Sequence, residues 1–136
     1  MRTFLDRLHD LKVKEVAQRQ IKVSEKSLSE QAETLGVAPD FRTNLMREPD
    51  APISLITEVK SKAPGRNNVE RLDPEAVVCD YEAGGAKAIS VLTDENWFGG
   101  SLETLGKVSA ATTLPLLHKE FIVTSYQLLE GRIRGA

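Results

Sequence analysis

The sequence is short of cysteine, of long apolar runs and of any surplus of one charge, and each shortage removes a class of function. Cys79 is the only cysteine among 136 residues, so no intrachain disulfide can form and no CxxC spacing offers a metal or dithiol centre. A reducing, cytoplasmic setting fits. Eighteen Lys and Arg stand against 20 Asp and Glu, a net charge of −2, which leaves no basic field to attract nucleic acid or an anionic membrane surface. Any anionic ligand has to be gripped locally. No apolar stretch approaches the roughly 20 residues that cross a bilayer, and the opening MRTFLDRLHDLKVKEV is too charged for a secretory leader. Glycine-rich nucleotide loops are lacking as well. The turn KSKAPGRNN holds only Gly65 and has neither a GxGxxG nor a Walker pattern.

What is present is rhythm. Leu5, Leu8, Leu11 and Val16 fall near one helical face, with Thr3 and Asp6 placed as a capping pair. A second helix is predicted from Ser27 to Leu35, stopped by Gly36. A short segment around Phe41, Leu45 and Met46 follows, and REPDAP then breaks the pattern. Residues 1–50 thus read as a helical N-terminal extension.

After Pro52 the rhythm changes. ISLITEV reads as a strand and DPEAVVCDYEAGG as a helix capped by Asp73, with Pro74 at its first position. KAISVLT is a second strand, DENWFGG a loop, and SLETLGKVSAA a helix capped by Ser101. LPLLHKEF is a third strand, and a third helix begins at Ser125. Units of about 30 residues that alternate strand and helix predict βαβ crossovers and a parallel sheet. The fold class is α/β, with residues 51–136 as three βα units.

A doubly wound sheet and a (βα)8 barrel both fit that order, and the strand ends separate them. Glu58 and Lys60 close the first strand two positions apart, on one face. Thr93 and Asp94 close the second strand, and Lys119 and Glu120 the third. A barrel places its chemistry at the C-terminal ends of several strands. The bland alternative is a set of solvated or ion-paired strand ends. A lysine set beside another cation and an apolar wall can have its pKa lowered towards neutrality, as a general acid requires.

At these residues the sequence resembles a known family. LITEVKSKAP, YEAGGAKAISVLTDENWFGGSLETL and LPLLHKEFIVTSYQLLEGRIRGA are similar to the first three βα units of indole-3-glycerol-phosphate synthase, and the helical extension is similar to that family's. The resemblance implies a TIM barrel and a lyase of tryptophan biosynthesis, a decarboxylase that closes an indole ring without cofactor or metal. Its small-molecule substrate would be the sugar phosphate 1-(2-carboxyphenylamino)-1-deoxyribulose 5-phosphate. By the same resemblance Lys119 is the general acid on the substrate carbonyl, Lys60 pairs with the substrate carboxylate, and Glu58 orients Lys60 and joins later proton transfers. Phe98 and Phe121 wall the aromatic end.

The resemblance has departures. Ala63, Pro64 and Gly65 stand where the family usually has Ser-Pro-Ser, which removes a hydroxyl that helps to bind phosphate. Glu120 replaces the more usual aspartate. An eight-stranded barrel needs about 200 or more residues, so the chain is expected to be a fragment or a truncated barrel, inactive alone. A non-catalytic relative that binds a partner or self-associates through open strand edges is the alternative, and a different phosphate-handling barrel or open α/β enzyme that shares only the fold is the third reading. His118, one position from Lys119, is assigned to packing on the opposite face. His9 is read as a helix-surface residue, Trp97 as a loop cover, and the Gly99-Gly100-Ser101 turn as a plain helix start.

Overall fold

The computed structural model describes residues 2–62 and 73–136. The chain divides into two compact units, residues 1–36 with 121–133, and residues 37–120 with 134–136.

The first unit is helical. Helix α1 (Phe4–Lys22) opens on the expected box, in which Thr3 accepts from the Asp6 amide while the Asp6 carboxylate accepts from the Thr3 amide at 2.7 Å. Its buried stripe is Leu8, Lys12 and Val16, spaced four apart. Leu5 is 67% exposed and Leu11 36%, which corrects the expected apolar stripe. Lys12 takes the inner position because its methylene stem packs while its ammonium pairs with Glu15 at 2.9 Å. Helix α2 (Glu25–Glu33) starts before the predicted Ser27, because the Ser24 hydroxyl accepts from the Ser27 amide at 3.2 Å and caps the helix earlier. Helix α7 (Ser125–Ile133) starts where predicted. Val16, Leu28 and Tyr126 form this unit's core. The Tyr126 hydroxyl donates to the Val23 carbonyl at 3.0 Å, and Arg19 pairs with Glu130 at 2.8 Å. Buried Gln127 holds the turn before α7, accepting from the Val123 amide and donating to the Phe121 carbonyl.

The second unit contains helix α3 (Phe41–Leu45), strand β1 (Leu55–Val59), helix α4 (Pro74–Ala83), strand β2 (Ala86–Leu92), helices α5 (Glu95–Phe98) and α6 (Leu102–Ala111), and strand β3 (Leu116–Lys119). The strands are parallel, in the order β1-β2-β3. Consecutive order with one-way progression is how a barrel wall is built; a nucleotide-binding sheet reverses its strand order at a switch point. Register pairs Glu58 with Ser90 and Ser90 with Leu117, and one step further Val59 with Val91 and Val91 with His118.

Strand alternation then gives the sheet two different faces. Val59, Ile89, Val91 and Leu116 join Val78 of α4 and Leu105 and Val108 of α6 in one core. Helices cover that face. Glu58, Ala88, Ser90, Leu92, Leu117 and Lys119 share the other, where Leu117 is 44% exposed. Asp73 caps α4 and Ser101 caps α6, both as predicted.

One departure lies at the β2 end. DENWFGG is not a plain loop, because the Asp94 carboxylate accepts from the Trp97 amide at 2.6 Å and winds α5. Gly99 then ends this turn in a left-handed conformation, φ 63°. Gly100 follows with its backbone against Leu92, where a Cβ would stand 2.1 Å from the carbonyl oxygen.

Candidate active site

Three of the charged strand-end residues meet on the sheet face opposite the α4 and α6 core. Glu58 stands one residue before the end of β1, Lys60 one residue beyond it, and Lys119 ends β3. The Lys60 ammonium lies 2.9 Å from Glu58 Oε1, and the Lys119 ammonium donates to Glu58 Oε2 at 2.5 Å. One carboxylate therefore bridges two ammoniums, using a different oxygen for each.

The sheet explains how residues 61 positions apart come together. β2 separates β1 from β3, so the two backbones are about two strand spacings apart, roughly 10 Å. Glutamate and lysine are long enough to span that gap above β2. Ser90, next to Glu58 in register and 5% exposed, is small enough to leave the space clear.

Burial pushes the Glu58 carboxyl up, but the hydrogen bonds and charges of Lys119 and Lys60 outweigh it, and the group is held below its usual range. It is therefore an ionised acceptor at neutral pH. The trio carries a net charge of +1 on its own, which suits it to a carboxylate or another anionic oxygen. Lys119, 51% exposed at its side chain, and Lys60, at 39%, are both open to an incoming group.

The other strand-end polar residues do different work. Asp94 is 1% exposed and serves as the α5 cap. Thr93, 4% exposed, donates from Oγ1 to Glu120 Oε2 at 3.0 Å and lies 2.9 Å from His118 Nε2. His118 and Glu120 thus point to the face opposite Lys119, as alternation requires. His118 adds a hydrogen bond to the packing role read from the sequence. The Thr93 contacts were not legible in SVLTD, because a threonine after an apolar run reads as a simple strand end.

Phe98 closes α5, half-buried, in the same unit as the trio. Phe121 is the first residue of the segment that belongs to the helical unit, also half-buried. Ala63, Pro64 and Gly65, read from the sequence as a departure from Ser-Pro-Ser, lie outside the described residues. No helix among the described residues is long and apolar enough to cross a membrane.

Residues 5–136 match the family model for indole-3-glycerol phosphate synthase. The indole-3-glycerol phosphate synthase of Streptomyces griseus is 44% identical over 133 residues, which is 97% of this chain and 48% of the relative. Indole-3-glycerol phosphate synthase 1 of Streptomyces coelicolor is 43% identical over the same share of both chains. The enzyme of Rhodopirellula baltica is 43% identical over 122 residues, 89% of this chain and 46% of its own length. The chain spans about half the length of the curated relatives it matches.

Proposed function

The chain belongs to the indole-3-glycerol phosphate synthase family, and from that premise we propose that the whole protein closes the indole ring of indole-3-glycerol phosphate. In this reading residues 1–50 are the helical extension and residues 51–136 supply three βα units of the barrel. The substrate is 1-(2-carboxyphenylamino)-1-deoxyribulose 5-phosphate, a sugar phosphate, and the setting is the cytoplasm. The observation that carries the reading is the Lys60–Glu58–Lys119 bridge at the C-terminal end of the sheet.

The chemistry needs one proton delivered to a carbonyl oxygen while an aromatic carbon attacks. Lys119 donates from its ammonium to the substrate's ketone oxygen, which makes the carbonyl carbon electrophilic. The ring carbon that bears the carboxylate attacks it, and the new carbon–carbon bond forms as the oxygen becomes a hydroxyl. Loss of the carboxylate as carbon dioxide returns an electron pair to the ring. The hydroxyl then leaves as water, with a second proton, and loss of a ring proton completes the indole.

Each residue of the trio has a part in this sequence. Lys60 pairs with the substrate carboxylate until it departs, and its stem length lets it exchange Glu58 for that ligand. Glu58 holds both ammoniums in place beforehand and, ionised at neutral pH, accepts a proton in the later steps. Phe98 packs against the aromatic end of the substrate, and the resemblance assigns Phe121 the same role. Incubating the protein with the anilino-deoxyribulose phosphate tests the reading. Indole absorbance and carbon dioxide should appear in equal amounts. Failure to turn over this substrate while another sugar phosphate is bound or converted would replace the reading with a different barrel enzyme.

One observation favours a second reading. Ile56 and Leu117 are each 44% exposed on the sheet, an apolar area that a non-catalytic relative could cover by self-association. A defined oligomer by light scattering, together with no turnover, would select it.

A further inference from the structure

We infer that Thr93 is a positioning residue for Lys119, clamping the end of β3 so that the lysine ammonium stays on Glu58. This rests on the reading of Lys119 as the proton donor.

The clamp consists of three contacts from one buried residue to three consecutive positions. The Thr93 amide donates to the Lys119 carbonyl at 3.2 Å. Its hydroxyl lies 2.9 Å from His118 Nε2 and donates to Glu120 Oε2 at 3.0 Å. The residues on both sides of Lys119 are therefore held through side chains, and Lys119 itself through its backbone. The last ladder pair between β2 and β3 is Leu92 with Lys119, so Thr93 continues the restraint one step past the ladder.

Such a restraint is needed here. Lys119 has a long, flexible stem and a half-exposed side chain, and on its own would scatter over many rotamers. Fixing residues 118–120 fixes the direction of the Lys119 Cα–Cβ bond and narrows the volume that the ammonium searches. Donor counting also assigns the histidine. A hydroxyl has one hydrogen, and Thr93 gives it to Glu120, so the His118 nitrogen facing Oγ1 must carry its own hydrogen and donate.

The test replaces Thr93 by Val, which keeps the shape and removes the hydroxyl, and by Ser, which restores it. Two readouts are taken on the whole protein: steady-state kinetics and the Glu58 carboxyl titration by carbon NMR. In Thr93→Val the Glu58 midpoint should rise towards the unperturbed 4.5 as Lys119 drifts away, and kcat should fall about 10- to 100-fold with KM changed less than about 2-fold. Thr93→Ser should recover most of both. If Thr93→Val does not fold, Glu120→Ala removes the same hydrogen bond from its half-buried partner and should move both readouts in the same direction. An unmoved Glu58 midpoint overturns the clamp whatever the turnover. A moved midpoint with unchanged kcat overturns its catalytic relevance. A moved midpoint in a protein whose parent closes no ring supports the clamp and removes the enzyme reading.

Discussion

Replacing Glu58 by Gln should remove a charge-dependent part of the stability, and the structure limits its size. The carboxylate is 30% exposed and its two lysine partners are 39% and 51% exposed. At a charge separation near 4 Å and an effective dielectric constant of 20, each pair would gain about 4 kcal/mol in Coulomb energy alone. Desolvation and the ordering of two long side chains take back most of that, and partly exposed pairs contribute about 0.2–1 kcal/mol each in practice. Two pairs sharing one acid therefore stabilise the fold by about 1 kcal/mol. The pH dependence gives the loss a signature. The folded-state pKa of Glu58 lies below the unperturbed 4.5, so its contribution is fully present above that value and is lost as pH falls through the folded pKa. Urea unfolding of parent and Glu58→Gln at pH 7, 5, 4 and 3, followed by circular dichroism, should show a gap that is constant between pH 7 and 5 and closes towards pH 3. A gap unchanged at pH 3, or wider there than at pH 7, would refute the bridge as a stabilising ion pair.

Two further outcomes concern the frame around the site. Leu105→Ala empties a fully buried position between α6 and the sheet and should cost about 2–5 kcal/mol in the urea midpoint analysis; a loss below about 1 kcal/mol would mean that the core is not packed as described. Gly100→Ala places a methyl 2.1 Å from the Leu92 carbonyl oxygen and should destabilise by about 1–3 kcal/mol, with a disturbance of the β2 end visible in the amide spectrum around Thr93. A neutral result there would show that the backbone does not approach as closely as described.

Much of this architecture was legible because its signals are local. The Thr3–Asp6 box, Asp73 before Pro74, and Ser101 before Leu102 each state a helix start within four residues, and all three stand in the structure. Strand parity placed Glu58 and Lys60 on one face and His118 opposite Lys119. What the sequence withheld was long-range or degenerate. SEKSLSE holds three serines, and the one that caps the helix is Ser24, whose hydroxyl accepts from the Ser27 amide. α5 is four residues long, too short for any helical period to show inside DENWFGG. Lys12 was hidden because a charged residue in an apolar stripe reads as surface until its partner is seen. The Glu58–Lys119 pair depends on β2 lying between the two strands with small Ser90 beside Glu58, which no local pattern encodes. The Thr93 contacts to His118 and Glu120 likewise depend on the register of β2 against β3.

In the proposed reaction Lys119 delivers the proton that opens the carbonyl to attack, and Lys119→Ala removes that donor alone. The comparison is of kcat and KM for the anilino-deoxyribulose phosphate in the parent and in Lys119→Ala, with folding of both checked by circular dichroism. Loss of a positioned general acid should lower kcat by about 10²- to 10⁴-fold while KM changes by no more than a few-fold, since Lys60 still holds the substrate carboxylate. A Lys119→Ala protein that turns over within about two-fold of the parent would show that Lys119 is not the proton donor.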